Sequence, residues 1–236
     1  MPQEAHFSSG AKNTLTACVF PHLIIMVLKL ATKLAKKLHY KLFLAPKGYG
    51  QSFAQEELEQ QYREGVWDFL GSIDELANYM VTVGYIQHFA KSLDYAPRLL
   101  DMGCGDGNFL ELMSNFHFQS YLGLDLSEEA IQRASARSIP NANFQVADFE
   151  EWSPTDKFDF IISTGSICYA KDPVAVLQRF AQALDENGAF IISLWRYGHN
   201  GIIWQNIEKH FTVIDSTIVQ NHKKMMWDVK VLTPMA

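Results

Sequence analysis

From Pro97 onward, short apolar runs alternate with segments of helical period. RLLDM (98–102), SYLGLDL (120–126), NFQVAD (143–148), FDFIIST (158–164) and GAFIISLW (188–195) read as strands, whereas SEEAIQRA (127–134) and DPVAVLQRFAQAL (172–184) read as helices. Strands that are apolar throughout, separated by helices, predict a mainly parallel sheet covered on both faces. A helix near 201–210 and two further strands, FTVIDSTIV (211–219) and MMWDVKVL (225–232), complete the pattern. The polar QNHKK between those last two leaves no room for a crossover helix, so they are expected to pair antiparallel.

Upstream the pattern changes. Helices are expected from about 52 to 70 and from Ser72 to about Leu93, the second opened by a capping box of Ser72 and Glu75. Residues 23–44, LIIMVLKLATKLAKKLHYKLFL, set Lys29, Lys33, Lys36, Lys37 and Lys41 opposite a stripe of Val27, Leu30, Leu34, Leu38 and Leu42. The turn-like PKGYG (46–50) closes this run, and residues 1 to about 20 are patternless. The expected division is a basic amphipathic extension (1–50), a helical lid (51–95) and an α/β core (96–236).

Composition sharpens the function classes. The 236 residues carry a net charge of −6, but residues 1–50 hold seven lysines against one glutamate, leaving −12 on the rest. An acidic body argues against a phosphate-tracking surface, so no nucleic-acid partner is expected and a small molecule becomes the default substrate. Cys18, Cys104 and Cys168 lie far apart with no paired Cys or His spacing. Neither a disulfide framework nor a metal site is predicted, and a reducing cytoplasm is the expected setting. Lysine interrupts the 23–44 run too often for a membrane span, and its charges follow the apolar stretch, unlike a secretory signal. Two readings stay open: a helix lying peripherally on a membrane, and a helix docked on the acidic body. A further reading takes Met26 as the true start.

The densest chemical signal is LLDMGCGDG (99–107). Gly103, Gly105 and Gly107 give G-x-G-x-G, with Asn108 where a dinucleotide fingerprint would place its third glycine. Asp101 before the loop suits a ligand bearing ammonium or sulfonium charge, and the helix N-terminus behind it offers N–H groups to a carboxylate. An amino acid carried on a nucleoside would use both.

Here the chain resembles the class I S-adenosylmethionine-dependent methyltransferases, small-molecule type, over roughly Pro97 to the C-terminus. The resemblance implies a doubly wound seven-stranded sheet, order 3-2-1-4-5-7-6 with the last strand antiparallel, and an N-terminal helical lid. It implies S-adenosyl-L-methionine as cofactor, S-adenosyl-L-homocysteine as product, and methyl transfer to an O, N or C nucleophile. Asp125 ends the second strand, 18 residues beyond Gly107, where the family binds ribose hydroxyls. Asp148 and Phe149 fall at the adenine position. Asp101, Gly103, Cys104 and Gly105 form the loop, and Leu126, Ser163 and Thr164 are strand-end neighbours of the cofactor.

Where many relatives carry a histidine pair after the fourth strand, this chain has Cys168 and Tyr169. Tyr169 as base or pocket wall, and His199 in the RYGHNG loop, are the candidate catalytic residues. Tyr62 and Trp67 in the lid are candidate cofactor contacts, with core packing as their alternative. The alternative functions are a protein or RNA methyltransferase, and a cofactor-binding but inactive partner subunit.

Overall fold

The computed structural model describes residues 16–113 and 115–235, without the side chains of residues 16–26 and Lys29. The chain divides after Phe43 into two compact units. The first holds helix α1 (Thr16–His39). Val27, Leu30, Leu34, Leu38 and Leu42 are 54–67% exposed, and Lys36, Lys37 and Lys41 are exposed as well. Lys29 of the expected lysine face lies outside the described side chains. No described helix is long and apolar enough to cross a membrane.

The second unit, from Leu44, is built on a seven-stranded sheet of order β3-β2-β1-β4-β5-β7-β6. Its strands are β1 (Arg98–Met102), β2 (Ser120–Asp125), β3 (Ala142–Val146), β4 (Phe158–Thr164), β5 (Leu184–Trp195), β6 (Phe211–Gln220) and β7 (Met226–Pro234). Pairing is parallel from β3 to β5, and β7 runs antiparallel to both β5 and β6. The topology and the antiparallel end match the sequence-based expectation.

Alternation along the strands feeds two cores. Leu100, Ile161 and Ile192 face α6 (Pro173–Ala181) and α7 (Asn200–Ile207) through Leu177, Phe180 and Ile203. Leu99, Ile162 and Ile191 face the other way, onto Tyr79, Val83 and Ile86 of α3 (Ile73–Ala90). Adjacent residues on a pleated strand point to opposite faces, so an all-apolar run is what a doubly covered sheet demands.

The segment before β1 departs from expectation in three ways. The first helix, α2, spans only Gln55–Arg63, because the chain turns through Gly65 at φ +73° before a single 3-10 turn at Asp68–Gly71. Left-handed backbone ends a helix, and glycine takes it without strain. The Ser72 hydroxyl does cap α3, but it accepts from Asp74 N at 3.2 Å, and Glu75 does not reach back to complete a box. The Ser72 N–H is already used by Phe69 O at 2.9 Å, which releases Glu75 for another task.

PKGYG, expected as the turn that closes the basic extension, bonds to the α/β unit. Gly50 N and Gln51 N donate to Lys171 O and Cys168 O, at 3.3 and 3.2 Å, and Asn206 Nδ2 donates to Lys47 O at 2.6 Å. The turn therefore belongs to the α/β unit, whose boundary falls before it.

Candidate active site

The carboxyl ends of β1, β2 and β4 open into a cavity of about 340 Å³, the crevice position ligands favour in open α/β sheets. One half is built around the glycine loop. Gly103, Gly105 and Gly107 all have positive φ, +76°, +56° and +82°. A Cβ on Gly103 would lie 2.3 Å from Ser166 Cβ, so the loop needs a bare backbone there as well as a left-handed one. The helix that follows, α4 (Asn108–Glu111), is a single turn.

Asp125 stands across from the loop. Its Oδ2 accepts from Gly105 N and its Oδ1 from Ser127 N, both at 2.9 Å. Burial lifts its pKa to about 6, against the pull of those N–H groups. Leu126, Asp148, Phe149 and Thr164 line the same cavity, as do Gly103, Cys104 and Gly105. Asp148 Oδ1 accepts from Glu150 N at 2.8 Å, which orients that carboxylate at the cavity edge.

Two expected residues sit behind the wall. Asp101 is fully buried and does not line the cavity; Tyr121 Oη donates to its Oδ2 at 2.6 Å, while Oδ1 has no hydrogen-bond partner among the described residues. Burial raises its pKa to about 7. Ser163 is likewise buried, with Oγ 2.7 Å from Ser166 Oγ and accepting from Ile167 N at 3.0 Å. It shapes the β4 exit.

The other half is aromatic. Trp67 has ring centroids of Tyr62, Phe53, Phe69 and Tyr169 at 6.1–6.2 Å, and Phe53 lies 5.0 Å from Tyr169. Tyr62 is buried over the loop: a Cβ on Gly105 would come within 3.1 Å of its hydroxyl. Burial raises the Tyr169 pKa well above that of a free phenol, and Cys168 and Glu75 add to the rise. His199 occupies the N-cap position of α7 without a side-chain capping bond, and it does not line the cavity.

Sequence reasoning missed two residues. Glu59 of α2 accepts from Ser127 Oγ and Glu129 N, each at 3.2 Å, and from Glu128 N. It thus plugs the N-terminus of α5 (Glu128–Ala136) and ties α2 beside Asp125. Arg133 Nη2 donates to Tyr62 O at 2.9 Å and reinforces that tie. The second is Glu75, 5% exposed, which lines the cavity and accepts from Asn78 Nδ2 at 3.2 Å. Only spacing was available for Glu75, and spacing fitted a cap equally well.

A family model described as a methyltransferase domain matches residues 67–226. The chain belongs to that family. Among curated relatives, the trans-aconitate 2-methyltransferase of Agrobacterium fabrum is 30% identical over 95 residues, 40% of this chain and 37% of that protein. The chain thus matches well under half of that relative's length. Among solved structures, the N-methyltransferase NodS of Bradyrhizobium japonicum, with S-adenosyl-L-homocysteine, superposes with a TM-score of 0.63 at 15% identity, covering 77% of this chain and 98% of that one. The [4+2]-cyclase SpnF superposes at 0.61 and 14% identity, covering 80% and 100%. At such identities the likeness is one of fold, and a fold that carries a cyclase as well as methyltransferases does not by itself name a reaction.

Proposed function

We propose that the chain transfers a methyl group from S-adenosylmethionine to a small-molecule acceptor bound in the aromatic half of the cavity. The observation that carries this reading is the pairing of the left-handed glycine loop with Asp125, a carboxylate held by two backbone N–H groups and facing the cavity. Lone pairs beyond those two bonds suit a cis-diol, and Asp148 supplies an acceptor for an exocyclic amine. Asp101 acts from behind: its unpartnered oxygen adds negative potential beneath the loop, favouring ammonium and sulfonium charge. Tyr62 and Trp67 cover the site and exclude water.

Bound S-adenosylmethionine supplies a methyl group already activated by its sulfonium. What remains for the protein is to hold an acceptor in line and keep the site dry. Tyr169, with its raised pKa, serves as wall. Calorimetric titration with S-adenosylhomocysteine tests the cofactor half, and turnover of S-adenosylmethionine against a panel of amines, phenols and carboxylic acids tests the reaction. Binding without turnover on any acceptor would favour the cofactor-binding, inactive subunit.

We further propose that α1 lies on an anionic membrane surface. Its exposed leucine stripe and flanking lysines support this, since such a helix gains from both apolar burial and charge. Full-length chain should co-sediment with phosphatidylserine vesicles and release in high salt, whereas a chain starting at Leu44 should stay in solution. Equal sedimentation of the two overturns it.

A further inference from the structure

The cavity wall carries five carboxylates, Glu75, Asp106, Asp125, Asp148 and Glu150, and among its described residues no lysine, arginine or histidine. Four of the five are satisfied locally. Arg137 lies 3.7 Å from Asp106, backbone N–H groups hold Asp125 and Asp148, and Lys171 pairs with Glu150 at 3.5 Å. Glu75 differs. Its side chain takes part in one hydrogen bond among the described residues, accepting from the amide of Asn78, and no described lysine, arginine or histidine lies within ion-pair distance of it.

Its position is built. Asn78 Oδ1 accepts from Ser193 Oγ of β5 at 2.6 Å, so the amide that holds Glu75 is itself fixed to the sheet. Burial raises the Glu75 pKa, and neighbouring Asp74 adds to the rise. A buried carboxyl facing a cavity resists ionisation, and a cation arriving beside it favours the ionised form and gains a charge-assisted bond. Tyr79 and Tyr169 lie near Glu75, and Trp67, Phe69, Trp195 and Trp227 line the same cavity. Aromatic faces attract cations and repel anions.

Resting on the methyl-acceptor reading of this half of the cavity, we infer that the acceptor is an apolar or aromatic amine, its ammonium held by Glu75 and its body by the aromatic wall. Glu75 is then the specificity-determining residue. A polycarboxylate such as trans-aconitate, for which the Agrobacterium relative is named, would meet Glu75 and aromatic faces in this half, with no lysine, arginine or histidine among the described lining residues.

The test uses the full chain saturated with S-adenosylhomocysteine and three matched probes: tryptamine, tryptophol and indole-3-propionate. Calorimetry should give tryptamine at least about tenfold tighter binding than tryptophol, a gap typical of a charge-assisted bond, and indole-3-propionate the weakest. Glu75→Gln keeps the shape and the bond from Asn78, so it should erase the tryptamine preference while S-adenosylhomocysteine affinity stays within about threefold, which also reports that the variant is folded. Indole-3-propionate binding as tightly as tryptamine, no binding of any probe, or a preference that survives Glu75→Gln overturns the inference and leaves the cofactor reading standing. Failure of S-adenosylhomocysteine to bind the unaltered chain overturns the reading itself.

Discussion

The two halves of the cavity are assembled in opposite ways. The loop half takes Gly103, Gly105, Asp125 and Asp148 from the ends of successive strands, held by short bonds such as Gly105 N to Asp125. The aromatic half gathers Phe53, Trp67, Tyr169, Trp195 and Trp227 from five separate segments, the first three joined by ring contacts. A polar site with fixed donors recognises one ligand, and a wall of rings is shaped by whatever segments meet there. Within one family, the first half should therefore stay constant in role while the second sets the substrate.

That contrast predicts where substitutions act. The largest effect belongs to Asp125→Ala, which removes charge-assisted bonds to the cofactor and should weaken S-adenosylhomocysteine binding by about 10- to 150-fold, roughly 1.5–3 kcal/mol, with the fold retained. Calorimetry alongside circular dichroism checks it. Unchanged affinity in a folded variant would detach Asp125 from the site.

Next in size is the response to pH. Burial raises the pKa of Asp125 to about 6 and of Asp101 to about 7, and the two carboxylates interact, so they titrate as a pair. Both are carboxyls raised above their unfolded value. The folded chain therefore binds more protons than the unfolded one between about pH 4 and 7, and stability contributed by the protonated forms is lost as pH rises through that window. A cationic ligand beside the pair favours the ionised forms. Affinity for S-adenosylmethionine should accordingly increase about tenfold from pH 5.5 to 7.5, with proton release on binding, measured in buffers of different ionisation enthalpy. Asp101→Asn should flatten the upper part of that profile. A flat profile in the unaltered chain would mean that neither carboxylate senses the ligand.

Smaller still is Glu59→Ala, which acts on the join between the halves. Removing the carboxylate that plugs α5 should cost about 1 kcal/mol. Hydrogen exchange should quicken in residues 55–63, and S-adenosylhomocysteine affinity should fall a few-fold as Tyr62 loosens over the loop. Unaltered exchange would show that Arg133 alone holds α2.

How much of this could be read from sequence follows the same division. The sheet order came through the family resemblance, and strand positions came from apolar runs such as FDFIIST, whose burial on both faces needs no knowledge of partners. The loop half was legible because its residues sit at strand ends a fixed distance from the glycines. Asp101 was placed at the ligand, but it sits one layer deeper, because strand-end position does not say which way a side chain points. Gly65 in QYREGVW is a helix-stop signal that an apolar-period reading of 52–70 passes over, and its φ of +73° ends α2. Glu75 was assigned to a cap, since Ser-x-x-Glu describes both a box and a first-turn carboxylate turned into a cavity. That choice depends on where β5 lies, through Asn78 and Ser193.

The smallest expected effect is the one that separates wall from chemistry. Tyr169 stands at the position the sequence resemblance marks for a base, yet its phenol is pushed up by burial first, then by Cys168 and Glu75, away from the range in which a general base works near neutral pH. Its ring meets Phe53 at 5.0 Å and Trp67 at 6.1 Å. Tyr169→Phe keeps that ring and deletes only the hydroxyl, so the single-turnover rate with any acceptor that turns over should change by less than about threefold, with S-adenosylhomocysteine affinity intact. Tyr169→Ala removes the ring and should weaken acceptor binding while leaving the loop half unaffected. A drop of about 10²–10⁴-fold in Tyr169→Phe would put proton transfer at this hydroxyl, and the aromatic half would then supply chemistry as well as shape.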